Sequence, residues 1–225
     1  MLYYSSVDTI DSDNYKSYDK GTCSEVYISN DIALKIYGYD VKYSSHIKKK
    51  MFNLFKNLNV PNLVKLYNFY YKYNDYLSKL LPMDAYTMEY VQGDRISLKE
   101  CDQEYIIIIL KQLEETLKSL INNKILIGDS HRKNIVLNQN GIKLIDLDNY
   151  YKSKHLSNKK IYRINKSRLL YTLCSSYTLT KNPSRLEKMI EYEIERDNYS
   201  LTDDFLSFLN KENSYQISKK YGLNK

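Results

Sequence analysis

At 225 residues the chain is long enough for one large domain or two small lobes with real cores. Its 43% apolar and 27% charged residues are ordinary for a globular protein, and with only 6 Gly and 3 Pro it is neither collagen-like nor dominated by disordered low-complexity sequence. A net charge of +7, dispersed along the chain, favours polyanionic ligands such as nucleoside triphosphates without identifying one. The 25 Tyr accompany many Lys, Asn and Ile, a pattern of AT-rich coding rather than of a base-stacking surface, so a nucleic-acid partner is not expected. Cys23, Cys101 and Cys174 lie far apart with no metal-binding spacing, as expected of reduced thiols. The polar start MLYYSSVDTIDSD has no apolar signal core, and the longest apolar run, Ile106 to Leu110, is too short to span a bilayer. A cytoplasmic protein with no membrane partner is the expectation.

In chain order, Ser24 to Ser29 alternates with period two, Ser29-Asn30-Asp31 makes a turn, and Ile32 to Tyr37 continues as the partner strand. Residues 44–58 predict a helix with Ile47, Met51, Leu54, Phe55 and Leu58 on one face, ended by Pro61. Leu63 to Tyr73 and Leu80 to Val91 predict further strands, and Gln92-Gly93-Asp94 breaks the pattern at a candidate lobe junction. The remainder reads as mainly helical: 102–123, 165–180, 184–196 and 202–210. Short strands are predicted at 125–127, 135–137 and 142–146, with Asn140-Gly141 as a hairpin turn.

Three constellations could carry chemistry. Lys35 lies inside an apolar strand, and a buried lysine is costly unless an anion meets it; it either contacts phosphates or snorkels at a sheet edge. The preceding loop, Asp19-Lys20-Gly21-Thr22-Cys23-Ser24-Glu25-Val26, is either a loop lying over phosphates or a simple hairpin turn. The third is Asp129, followed by Asn134 and, after the apolar run Ile142-Lys143-Leu144-Ile145, by Asp146. One carboxylate can orient an attacking hydroxyl while an amide and a second carboxylate hold magnesium on a triphosphate. Asp and Asn also cap turns, but the ordered set with an upstream lysine is hard to obtain by chance.

With these residues in view, the chain resembles the protein-kinase-like superfamily. Its loop is closest to the small bacterial-type aminoglycoside and choline kinase branch. Gly128-Asp129-Ser130-His131-Arg132-Lys133-Asn134 is similar to GDxHxxN, and Ile145-Asp146-Leu147-Asp148 to the IDxD that replaces DFG. Pro61-Asn62-Leu63-Val64-Lys65-Leu66-Tyr67 resembles the HPNIVKLY segment, and Met88 to Gly93 the hinge. Against GxGxxGxV only Gly21 and Val26 remain, with Asp19 and Ser24 at the other glycine positions. The resemblance spans about residues 19–150 and implies an α+β, bilobal protein-kinase-like fold. Residues 1–91 would form an antiparallel β-sheet N-lobe, and 92–225 a reduced, mainly helical C-lobe.

By the same resemblance the ligands are ATP and Mg2+. Asp129 would orient the hydroxyl of a small-molecule or protein Ser/Thr acceptor, with Asn134 beside it as a catalytic and metal-holding residue. Asp146 would bridge the metal to the phosphates, Lys35 would position them under the loop containing Gly21 and Val26, and the backbones of Glu89 and Val91 would bind adenine. Three departures stand out. No acidic residue lies between Asp40 and Asp75, where a helix Glu should pair with Lys35, so another carboxylate, Asp146 for instance, would have to hold that lysine. Ile127 replaces the His or Tyr that opens the catalytic loop, and no APE motif follows Asp148. These departures keep a second reading open, a catalytically impaired pseudokinase that binds nucleotide or a protein partner. His131 is expected to support the loop, and His46 and His155 to lie at the surface.

Overall fold

The computed structural model describes residues 16–20, 24–37, 45–73, 83–178 and 200–220. The predicted helix at 184–196, Gly21, Cys23 and the start of the predicted strand at Leu80 lie outside them. The fold is α+β and divides into two compact units, residues 1–58 with 64–91 and residues 59–63 with 92–225.

The first unit is an antiparallel five-stranded sheet and one helix. Strands β1 (Lys16–Lys20), β2 (Ser24–Ser29), β3 (Ile32–Tyr37), β4 (Leu66–Tyr73) and β5 (Met83–Glu89) lie in the order β1-β2-β3-β5-β4. β1 was not anticipated; its Asp19 and Lys20 pair with Val26 and Glu25. The Asn30-Asp31 turn works because Asn30 tolerates the left-handed conformation it adopts (φ 50°). Side-chain alternation sends Leu34 and Ile36 to one face, where they pack with Ala85, Tyr27 and Tyr70. The opposite face carries Lys35, Tyr37, Phe69 and Tyr86, over which helix α1 (Ser45–Lys56) lays Phe52, 5.5 Å from the Phe69 ring and 5.9 Å from that of Tyr86. Phe52 and Phe55 are the buried anchors, while the predicted Met51, Leu54 and Leu58 are half-buried. The apolar stripe of α1 is therefore centred one residue away from the predicted one.

The second unit is built on α2 (Gln103–Asn122), whose Asp102 caps it by accepting from the Tyr105 N–H at 2.7 Å. Ile109, Leu110, Leu113, Leu117 and Leu120 form its fully buried stripe. Strands β6 (Asp94–Arg95), β8 (Ile135–Asn138) and β9 (Gly141–Leu144) make a small antiparallel sheet, and β7 (Ile125–Leu126) pairs with β10 (Tyr151–Lys152). α3 (Asn158–Thr178) and α4 (Leu201–Lys220) complete the unit. α3 starts seven residues before the predicted helix, because its first turns are polar and carry no apolar period. Residues 61–63 belong to this unit through bonds on both sides. Leu144 N–H donates to the Asn62 carbonyl at 2.7 Å, and the Asn62 amide donates to the Gln112 carbonyl at 3.0 Å. Among the described residues no helix is long and apolar enough to cross a membrane.

α3 and α4 are joined by a buried ion pair, Lys166 Nζ to Asp204 Oδ2 at 2.6 Å, with both side chains at most 2% exposed. Removing one partner strands a charge in the core. Lys166→Met is expected to destabilise the fold by about 3–5 kcal/mol, and the double change with Asp204→Leu to recover most of that loss. Urea denaturation of the three proteins checks both.

Candidate active site

Two ladders bring the sequence-separated motif residues together in the second unit. The first is the β8–β9 hairpin. Its two-residue turn is Gln139-Asn140, one residue before the expected Asn140-Gly141, because Gly141 already belongs to the strand; it sets the register Asn138↔Gly141, Leu137↔Ile142, Val136↔Lys143 and Ile135↔Leu144. Continuing that register puts Asn134 opposite Ile145, and the Ile145 N–H does donate to the Asn134 carbonyl at 2.9 Å. Asn134 and Asp146 therefore share the open end of the hairpin. α2 grips the closed end: Gln112 donates to the Asn140 carbonyl at 3.0 Å and accepts from the Ile142 N–H at 2.9 Å. Gly141 is required there, since it has φ 112° and a Cβ would overlap the Gln112 amide.

The second ladder pairs Leu126 with Tyr151 and Ile125 with Lys152, which draws the segment after β7 against the segment before β10. The contact is so close that a Cβ on Gly128 would overlap the Asn149 carbonyl. This is the physical need for glycine before Asp129. Its consequence shows at the fully buried Tyr150, whose phenol is held far above its ordinary range, first by burial and then by the charges of Asp146 and Asp129.

Asn134 is 6% exposed, and its amide nitrogen lies 3.4 Å from the Asp129 carbonyl. That contact assigns Nδ2 to the loop and leaves Oδ1 as the atom a cation could use. Asp146 adopts a left-handed backbone (φ 59°, ψ 66°), a conformation Asp tolerates better than most residues, as it turns the chain out of β9 into a single 3-10 turn. An amide oxygen and one carboxylate suit magnesium, which keeps several waters and takes phosphate oxygens for the rest of its shell. Among the described residues no three His, Cys, Asp or Glu side chains gather as a self-sufficient metal set. Asp129 and His131 are each 46% exposed, and their side chains approach to 3.6 Å, so His131 stands within the loop as a partner of Asp129. His155 is exposed, and the side chain of His46 lies outside the described ones.

The loop is supported from α3. Asn165, fully buried, accepts from the Ile127 N–H at 2.9 Å and donates to the Ile125 carbonyl at 2.8 Å, acting as a strand neighbour in side-chain form. Two turns on, the Thr172 hydroxyl meets that of Ser130 at 2.8 Å. Sequence reasoning missed Asn165, Thr172 and Tyr150. No local pattern sets Asn165 apart, since the buried face of α3 also carries Lys166, Thr172 and Ser176.

In the first unit Lys35 is 4% exposed and pairs across the sheet with Val26 on one side and Tyr86 on the other. Its Nζ lies 5.8 Å from the Tyr37 ring centre and 6.0 Å from that of Tyr86. It is a buried central-strand lysine, not an edge one. Alternation along β5 puts Asp84, 7% exposed, on this same face, diagonal from Lys35. No acid stands on α1, which instead offers Lys48; it pairs with Asp84 at 3.5 Å and lies 4.3 Å from the Tyr37 ring centre. The acid is thus on the sheet and the cation on the helix. At the predicted hinge, the Glu89 N–H donates to the Lys65 carbonyl and the Tyr90 N–H to that of Asp31, each at 2.8 Å. A base contact by Glu89 would fall to its carbonyl. Val91 is half-buried at the end of the unit. No family model matches this chain, and no curated protein matches it.

Proposed function

We propose that this protein is an ATP- and Mg2+-dependent phosphotransferase of the protein-kinase-like type, acting on an alcohol. The observation that supports it most is the register of the β8–β9 hairpin, which brings the backbones of Asn134 and Asp146 to one end of the hairpin, with the close Gly128–Asn149 approach just before Asp129. In this reading Asp129 orients the acceptor hydroxyl and takes its proton. Asn134 Oδ1 and the Asp146 carboxylate would hold magnesium, which when bound would supply neutralising charge for the phosphoryl group. Lys35 would meet the nucleotide's phosphates, and the Glu89–Val91 backbone would take the adenine. Catalysis is positioning and charge stabilisation with no covalent intermediate.

The replacement of the helix acid by Lys48 favours one second reading, a pseudokinase that binds nucleotide without turning it over. ADP release with Mg2+-ATP across a panel of alcohols separates the two. Acceptor-dependent ADP formation supports the enzyme; nucleotide binding with no turnover on any acceptor supports the pseudokinase.

A further inference from the structure

The loop-supporting face of α3 holds one group that the reading above does not use. Arg168 lies between Asn165, which holds Ile127, and Thr172, which holds Ser130. At about 100° per residue, Asn165 and Thr172 fall within about 20° of each other around the helix, and Arg168 lies about 40–60° to one side of them. Lys166, which reaches α4, lies on the other side. Arg168 therefore lies beside the helix face that meets the Asp129 loop.

Its Nη1 is buried and finds no hydrogen-bond partner among the described residues. The Asp129 carboxylate does not supply one, being engaged with His131. A guanidinium is always charged and presents a planar fork of donors, so an unmet buried nitrogen costs stability unless an oxyanion arrives. The surroundings do not oppose an anion. α3 carries Lys159, Lys160, Arg163, Lys166 and Arg168 and no acidic residue, and exposed Arg132 and Lys133 sit in the loop itself. The charge of Lys166 is cancelled by the buried Asp204.

We propose that Arg168 is the anion-recognition residue of the acceptor site, so that the alcohol to be phosphorylated is a small molecule bearing an oxyanion, a carboxylate or a phosphate. The inference rests on the phosphotransferase reading for the word acceptor, but not for the anion site. Arg168 grips the anionic group by charge-assisted hydrogen bonds while the hydroxyl of the same molecule lies at Asp129. A cationic or neutral alcohol would leave the guanidinium unmet.

The test uses the full chain and matched ligands: glycerol 3-phosphate and glycerate against glycerol, and glucose 6-phosphate against glucose. Binding is read by calorimetric titration without nucleotide, and turnover by ADP release with Mg2+-ATP. The wild type is expected to bind at least one anionic member more tightly than its neutral counterpart. Glycerate against glycerol 3-phosphate tells carboxylate from phosphate. Arg168→Gln is expected to weaken that binding about 10- to 100-fold and to raise acceptor KM more than it lowers kcat. Arg168→Lys should restore part of it. Because no protein partner is lost, the melting temperature of Arg168→Gln without ligand should be equal to or above that of the wild type.

Three results would overturn the proposal: no preference for anions in the wild type, a preference that survives Arg168→Gln, or a lowered melting temperature in both variants. Arg168-dependent anion binding without ADP release for any acceptor would uphold the anion site and remove the catalytic reading. Turnover of neutral alcohols indifferent to Arg168 would do the reverse.

Discussion

Asp129→Asn is expected to lower phosphoryl transfer by about two to four orders of magnitude, with the fold and Mg2+-ATP binding retained. The substitution is nearly isosteric, and the loop holding it does not depend on the carboxylate. The Asp129 carbonyl, not its side chain, meets the Asn134 amide, and the neighbours on each side are held through Gly128 and Ser130. Losing the half-exposed Asp129–His131 pair should cost little stability, since exposed ion pairs contribute at most about 1 kcal/mol. A drop in kcat with an unchanged nucleotide affinity and melting temperature is the signature of a group that acts on the acceptor hydroxyl. Parallel loss of nucleotide binding would instead place Asp129 among the phosphate or metal contacts.

The second large effect lies away from the reacting atoms. Asn165→Ala is expected to cost about 2–4 kcal/mol, because it leaves both the Ile127 N–H and the Ile125 carbonyl buried without their partner. It should also lower kcat by about tenfold or more, since these bonds fix the strand from which the Asp129 loop departs. Asn165→Asp keeps the acceptor for Ile127 but buries a carboxylate against the Ile125 carbonyl, so it should be at least as destabilising as Ala in urea denaturation. Full activity in a destabilised Asn165→Ala would restrict Asn165 to stability alone.

The motif loop was legible in the sequence because its spacing encodes register. Counting from Asn140-Gly141 as the turn would pair Asn134 with Leu147; the turn is Gln139-Asn140 and Asn134 lies opposite Ile145, but either register brings Asn134 and Asp146 to the open end of the hairpin. The β2–β3 hairpin was legible for the same reason, a turn set between two alternating runs. The helices of the second unit were placed less well at their ends, as at α3, where polar first turns hide the start of the helix.

What could not be read was every contact made by a polar side chain across long sequence separation. Asn165 on α3 supplies the support that Ile127 lacks, 38 positions away, and no local pattern announces it. Asp84 was overlooked because the search for an acid near Lys35 followed the helix, whereas alternation across β3 and β5 puts the acid on the sheet and the cation, Lys48, on α1. Residues 59–63 look like part of the first half, but bonds to Leu144, Gln112, Thr116 and Lys143 tie them to the second unit.

The central claim is that Asp146 and Asn134 hold a metal–nucleotide complex. Calorimetric titration of a non-hydrolysable ATP analogue into the full chain, with and without Mg2+, tests it most directly. The wild type should bind the magnesium complex more tightly than the free nucleotide, and Asp146→Ala should abolish that difference. Nucleotide binding indifferent to magnesium in the wild type, or a magnesium effect that survives Asp146→Ala, would contradict the account.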